Sequence, residues 1–410
     1  MNNFKDYKGF PVSFWNYTDS DIQSPDDVAD WKKLGLNFAM SPEFDISKNS
    51  KENFIKILDE AEKNNIKIVV CDSRSYWHNL SRGEEEYRKG FLSALSDFGS
   101  HPAVIGFHVG DEPDRDNLDM CCRAYCIQKE LAPNLSPFFN LLAWNHDQKA
   151  IKDLTGYNDW EAYLETVWEK THCDLLCYDC YFQMNPNGEY WDTYFANLNY
   201  HNTVAQRHNI PWWTTLLSVG HFRYECPDAD ALRWQINSAV AHGAKGIIWF
   251  YIYSRAIEIN YRYAPINEFG EKTQTFENLS YEVRKFRRQF EGVIENLTLD
   301  RVFHKGRTYG NTPLFREYGD VIDVFGEHNT PAIVSFYNDG YVGVVNNSRT
   351  DSDRFFIEFG DNAKKVAHIG DYGREIEVYP KKIAYFDHWD NRSKISFWLA
   401  PGGMEIFKVN

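Results

Sequence analysis

Residues His101–Pro113 read HPAVIGFHVGDEP. An apolar run passes one glycine, continues through Phe107, His108 and Val109, and stops at Gly110 on two adjacent carboxylates, Asp111 and Glu112, and a proline. Proline has no backbone N–H and ends a strand ladder. A strand that reads apolar on both faces belongs in a parallel sheet covered on both sides. The neighbouring chain should then alternate strands with helices.

It does so with a regular rhythm. Upstream, FPVSFWNY, LNFAMSPEF and IKIVVCDSRS each precede a helix-like stretch: DDVADWKKLG, ENFIKILDEAEKNN and EEEYRKGFLSALSDFGS. In the second of these, Phe54, Ile57, Leu58 and Ala61 fall on one helical stripe. Downstream, SPFFNLLAWN, DLLCYDCYFQ, IPWWTTLLSVGHF and KGIIWFYIYS complete a set of eight strands, again interleaved with helices and closed by YEVRKFRRQFEGVIENL. Eight such units predict an α/β fold of the (β/α)8 TIM-barrel type, filling a catalytic domain of residues 1–298. After Leu299 the pattern changes to short runs such as VIDVFGEH, PAIVSFYN, YVGVVNNS and RFFIEFG, separated by Gly, Asn and Asp turns. Residues 299–410 are therefore expected to form a small antiparallel β-sandwich domain.

Composition narrows the function. The 410 residues carry a formal charge of -15, which disfavours nucleic acid and anionic membranes as partners. Aromatic residues make up 16%, with 13 Trp, 25 Tyr and 29 Phe; flat rings suit sugar faces, and they also fill cores. The N-terminus MNNFKDYKGFPVSFW lacks the basic and apolar regions of a secretory signal, and no 18-residue apolar span is present. A cytoplasmic chain is expected. Cys173, Cys177 and Cys180 lie in a strand-like run without clustered His, and so read as buried thiols in a reducing compartment. No HxH, HExxH or phosphate loop calls for a metal or organic cofactor.

In a (β/α)8 barrel, reacting groups sit at the C-terminal ends of the strands. Simple alternation carries His108, Gly110 and Glu112 up one side of the fourth strand to that end. A carboxylic acid there suits protonation of a leaving oxygen, whereas the bland alternative is a helix cap. HPAVIGFHVGDEP at strand four, with PFFNLLAW, DLLCYDCY, ALRWQINSAVAHGAKGIIWFYIY and YEVRKFRRQFEGVI in order behind it, resembles the retaining glycoside hydrolases of the clan that includes bacterial β-galactosidases. It looks most like bacterial glycoside-hydrolase-like proteins with the same two-domain layout. The resemblance implies that Glu112 is the general acid/base and that the substrate is a carbohydrate, a short oligosaccharide or glycoside. Two positions depart from it. The clan has Asn before the strand-four Glu, where this chain has Asp111, and it places a nucleophilic Glu at the end of strand seven, where this chain has Ser218, Gly220 and His221.

The second catalytic group is accordingly open. Asp179, in CYDCY at the end of strand six, is one candidate for nucleophile, base or hydroxyl anchor; Glu225, several residues into the strand-seven loop, is another. Asp111 beside Glu112 is similar to the pair of substrate-assisted hexosaminidases, in which the substrate's own N-acetyl group attacks. Residues expected to line the site are Trp15, Asn16, Arg74, Trp77, His78, Asn140, Trp144, Tyr178, Tyr181, His221, Trp249 and Tyr251, with Trp249 the expected stacking floor. Two other readings stand beside the hydrolase: a carbohydrate-binding protein on a decayed barrel, and a lyase or aldolase, disfavoured because Lys245 precedes strand eight.

Overall fold

The computed structural model describes residues 3–254, 260–361, 363, 365–382 and 392–409. The apolar runs form short strands: β1 (Val12–Phe14), β2 (Phe38–Met40), β3 (Lys67–Val70), β4 (Val104–Asp111), β5 (Ser136–Asn140), β6 (Leu176–Asp179), β7 (Trp212–Leu217), β8 (Gly220–His221), β9 (Gly246–Phe250) and β10 (Tyr261–Arg262). The helices between and after them are α1 (Val28–Lys33), α2 (Lys51–Lys63), α3 (Glu84–Phe98), α4 (Leu118–Leu131), α5 (Gln148–Thr155), α6 (Trp160–Thr171), α7 (Trp191–His208), α8 (Ala229–Ala241) and α9 (Gln274–Phe290).

The chain has an α/β fold. One four-stranded parallel sheet runs in the order β1-β9-β7-β6 and a second in the order β2-β3-β4-β5. A backbone hydrogen bond crosses each seam between them: Asn37 N–H to Val12 O at 3.2 Å, and Leu141 N–H to Cys177 O at 2.8 Å. The Asn37 side chain stitches the first seam further, accepting from Val12 N–H at 2.8 Å and donating to Phe10 O at 3.0 Å. Alternation then sorts the side chains. Phe38, Met40, Val69, Ile105, Phe138, Cys177, Trp213 and Ile248, drawn from both sheets, share one apolar cluster. Intervening residues such as Ala39, Val70, Phe139, Tyr178 and Trp249 pack against the helices instead. The N-terminal segment covers the N-terminal ends of the strands, where Phe4 meets the rings of Trp213 and Phe138 at 5.1 and 6.1 Å.

Two features are absent from the strand–helix rhythm read in the sequence. Helix α5 lies between β5 and α6, its N-terminus capped by Asp147, which accepts from Lys149 and Ala150 N–H, and its end marked by Gly156 at φ +84°. The loops after β7 and β9 also pair, His221 opposite Tyr261 and Gly220 opposite Arg262. Two residues per strand are too few to leave a periodic signal.

From Leu299 onward the described strands pair antiparallel, with one isolated parallel bridge between His304 and Leu314. A six-stranded sheet runs Leu299–Lys305, Ala332–Tyr337, Tyr341–Asn346, Met404–Val409, Val366–Gly370, Arg374–Val378, and a four-stranded sheet runs Val321–Gly326, Asp353–Phe359, Ser393–Leu399, Lys381–Lys382. Their facing residues, Val334, Phe336 and Val344 on one and Val324, Phe355 and Ile357 on the other, share a core. This region docks on α8. Trp234 Nε1 donates to Asn347 Oδ1 (2.9 Å), Asn237 Nδ2 to Gly402 O (2.8 Å), and Ser335 Oγ to Ala241 O (2.7 Å). Gly402, at φ +66°, lies so close to Trp234 that a Cβ would sit 2.5 Å from its backbone.

Candidate active site

Simple alternation does not survive along β4. Its register with β5 shifts between His108 and Gly110, so Asp111 rather than Gly110 or Glu112 stands opposite Asn140. Asn140 lies two residues beyond the inward Phe138 and shares its face, and Asp111 therefore takes the inner side. Glu112 reaches the same space by another route. Its φ is +40°, a left-handed conformation that costs a non-glycine residue roughly 1–3 kcal/mol. Gly110 makes room for the bend: at φ +152° it lies under the Trp77 indole, and a Cβ would come within 2.1 Å of Trp77 Cδ1. Pro113 follows, as the sequence requires.

Three carboxyls meet here. Asn140 Nδ2 donates to Asp111 Oδ1 at 3.1 Å and to Asp179 Oδ1 at 2.8 Å, while the Asn140 backbone carbonyl accepts from Glu112 N–H at 3.0 Å. The Glu112 and Asp179 carboxyls face one another, a contact that lowers the pKa of Glu112 and raises that of Asp179, and the Tyr181 hydroxyl faces Asp179 and lowers it. Water reaches Asp111 and Glu112 from the open side, yet protein atoms crowd both carboxyls, and that crowding governs their acidity. Burial first, then the Asp179 charge, push the Asp111 pKa up to about 7. Burial and Asp111 raise Glu112; burial and Glu112 hold Asp179 well above the usual carboxylate range. The cluster thus retains protons near neutral pH and titrates as a unit. Beside it opens a recess of about 220 Å³, bounded by Leu142, Asn145, Ile151, Tyr181 and Tyr224.

Other expected site residues fall into three groups. Trp77, Tyr181 and His221 lie close to the cluster or its rim. His221 stacks on Tyr261 at 5.0 Å and stays neutral, since burial, then Arg262, lower its pKa to about 4. Trp15, Asn16 and Tyr251 lie inside the strand ends but are buried and engaged. Trp15 Nε1 donates to Thr215 Oγ1 (3.3 Å), Asn16 is tied to Gln23 and Thr18, and Tyr251 packs on Tyr261. His78 sits on the rim beside Tyr76.

The rest are placed elsewhere. Trp249 is fully buried in the layer between strands and helices, so it cannot serve as the expected stacking floor. Tyr178 points the same way and stacks on His201 at 3.7 Å. Trp144 packs on Tyr200. Arg74 is locked between Asp72 (2.6 Å) and Asp97 (2.8 Å). Glu225 is ion-paired with Arg349, and its backbone N–H donates to Met184 O at 2.8 Å. It does not join the cluster. Its neighbour Tyr224, not singled out in the sequence, lines the recess. So does α5, whose cap signals at Asp147 and Gly156 were there to be read.

The eight cysteines are unpaired, with Cys173, Cys177 and Cys180 buried as expected. Among the described residues, the one trio of metal-type ligands with donor atoms within 4.8 Å of one another is Asp59, Glu62 and His101, at the opposite end of β4 from Glu112. No helix of the described residues is long and apolar enough to cross a membrane.

No protein-family model matches the chain, and no curated protein matches it in sequence. Solved structures do. A glycoside hydrolase family 5 protein from Bacteroides vulgatus superposes with a TM-score of 0.56 at 12% identity, over 98% of this chain and 89% of its own. A family 39 glycoside hydrolase from the gut symbiont Bacteroides cellulosilyticus gives 0.54 at 10% identity, over 98% and 81%. A further glycoside hydrolase gives 0.55 at 12%, over 98% and 92%. The likeness spans nearly the whole chain, parallel and antiparallel regions together: the fold is that of known glycoside hydrolases.

Proposed function

We propose that the chain is a glycoside hydrolase, built as a (β/α)8 barrel of residues 1–298 braced by a β-sandwich of residues 299–410. The hydrogen bonds across both seams support closure of the barrel, and the core shared by the two antiparallel sheets supports the sandwich. The observation that carries the function is the carboxyl cluster of Asp111, Glu112 and Asp179 at the C-terminal ends of β4 and β6, held by a neutral amide. Glycoside cleavage needs an acid that is still protonated near neutral pH and a second carboxylate beside it. Burial and mutual repulsion supply both. Glu112 is the proton donor to the leaving oxygen, its strained backbone presenting the carboxyl to the recess. Asp179 is the second group, and Tyr181, Tyr224 and His221 offer rings and polar edges to the sugar.

One observation favours a substrate-assisted course within this reading. The end of β7 offers no carboxylate to serve as the nucleophile of a retaining pair. In that course Asp111 and Asp179 orient an N-acetyl group, whose carbonyl oxygen attacks the anomeric carbon while Glu112 protonates the leaving oxygen.

The test is hydrolysis of a panel of chromogenic glycosides, N-acetylhexosaminides included, between pH 5 and 8. Turnover of a glycoside that Glu112→Gln abolishes is expected. For an N-acetylhexosaminide, replacing the acetyl by a trifluoroacetyl group should slow the reaction steeply, because fluorine weakens the attacking oxygen. Sugar binding by calorimetry with no turnover on any glycoside would instead leave a binding protein on this fold.

A further inference from the structure

Asn140 was expected to line the site, but its donors are already committed. Nδ2 bonds both Asp111 (3.1 Å) and Asp179 (2.8 Å), and the residue is buried at the end of β5. The amide orientation follows from chemistry: turned the other way, Oδ1 would face two carboxylate oxygens. As it stands, Oδ1 is buried with no partner among the described residues, a cost accepted in order to aim the NH2 group at the acids. Glu112 gains nothing from this side chain. It meets Asn140 only through the backbone, N–H to O at 3.0 Å.

We propose that Asn140 is a positioning residue that draws Asp111 and Asp179 toward their ionised forms without acting on the Glu112 carboxyl, and so sets how far the three acids differ in holding their protons. The inference rests on the reading of this cluster as the catalytic acid site. A donor bonded to a carboxylate favours the charged form. Burial and mutual repulsion raise all three acids, and the Glu112–Asp179 contact lowers Glu112 and raises Asp179, whereas the Asn140 amide lowers Asp111 and Asp179 alone. The other titratable groups facing the cluster are Cys121 from α4, Tyr163 from α6, Cys177 at β6, and Cys180, Tyr181 and Tyr224 from the loops. Burial holds all of them neutral near pH 7, Tyr224 at about 12 and the others likewise above their ordinary values. Their charge therefore does not change across the range in which the carboxyls titrate.

The experiment is a pH titration of the full chain carrying ¹³C at the Asp and Glu side-chain carboxyls. Resonances are assigned with Asp111→Asn, Glu112→Gln and Asp179→Asn, and the titration is repeated in Asn140→Leu and Asn140→Ala. Leu removes both donors at similar volume. Ala removes them without added bulk or charge, so a fold that fails with Leu is still tested. The midpoints of Asp111 and Asp179 are expected to rise by about one to two pH units in both variants, with Glu112 shifting less. Equal midpoints in the wild type and the variants, or a Glu112 shift as large as the other two, would overturn the proposal. The readout needs no substrate. Shifted midpoints in a protein that turns over no glycoside would therefore sink the catalytic reading and leave the role of Asn140 standing. Turnover together with unmoved midpoints would do the reverse.

Discussion

Two groups of acids sit at the C-terminal ends of neighbouring strands and are treated in opposite ways. After β3, Asp72 is fully buried and bonds Arg74 through both oxygens (2.9 and 2.6 Å), while Arg74 reaches on to Asp97, which also takes Lys51. Burial alone would raise Asp97, but its bonds to Lys51 and Arg74 outweigh that and hold it below the ordinary range. Glu225, in the loop after β8, is likewise paired with Arg349. At β4 and β6, by contrast, Asp111, Glu112 and Asp179 meet one another and a neutral amide, and all three are pushed upward. Acids that brace the fold are matched with cations. The acids proposed for proton transfer are held instead by burial and by one another, which keeps them protonated to higher pH.

If this contrast is functional, the largest effect belongs to the unmatched group. Glu112→Gln is expected to lower kcat/KM for a glycoside with a poor leaving group by at least ~10²–10⁴-fold with its melting temperature retained. Normal turnover would break the comparison at its centre. Next comes the matched group. Arg74→Met strands Asp72 without its cation and should cost about 3–5 kcal/mol by denaturant unfolding. A loss under ~1 kcal/mol would mean that the pairing after β3 is ornamental.

The pH dependence of stability sharpens the contrast. Asp111 has a folded pKa of about 7, above the ~3.9 of an unfolded Asp, so the folded chain binds more protons between those values. Its contribution is fully present below about pH 4 and is lost as the pH rises through about 7. Asp111→Asn should therefore raise the melting temperature at pH 8 and leave it unchanged at pH 4. An equal gain at both would show that the acid is not perturbed as described. The smallest effect is expected at the cross-region pair. Arg349→Ala frees Glu225 and, through it, the loop holding Tyr224 at the recess; KM should rise a few-fold while stability changes by less than ~1 kcal/mol.

Much of this molecule is legible along the chain. The alternation of apolar strands with amphipathic helices, the switch to short turn-bounded strands at Leu299, and the stop at Asp111-Glu112-Pro113 are local patterns, because strand and helix periods are properties of neighbouring residues. So is the choice of Asp179, an acid that ends an apolar strand. What the tertiary structure alone decided is which side chains face which neighbour. The register shift in β4 turned Asp111 inward and left Glu112 to enter through a left-handed backbone. Strand phase sent Trp249 and Tyr178 toward the helices. Arg74 and Glu225 found counterions 23 and 124 residues away, and Asn140, expected to line the site, found two acids. A bulge of one residue reverses a face without altering the apolar pattern, and an ion pair or shared hydrogen bond depends on distances that only the packed chain defines.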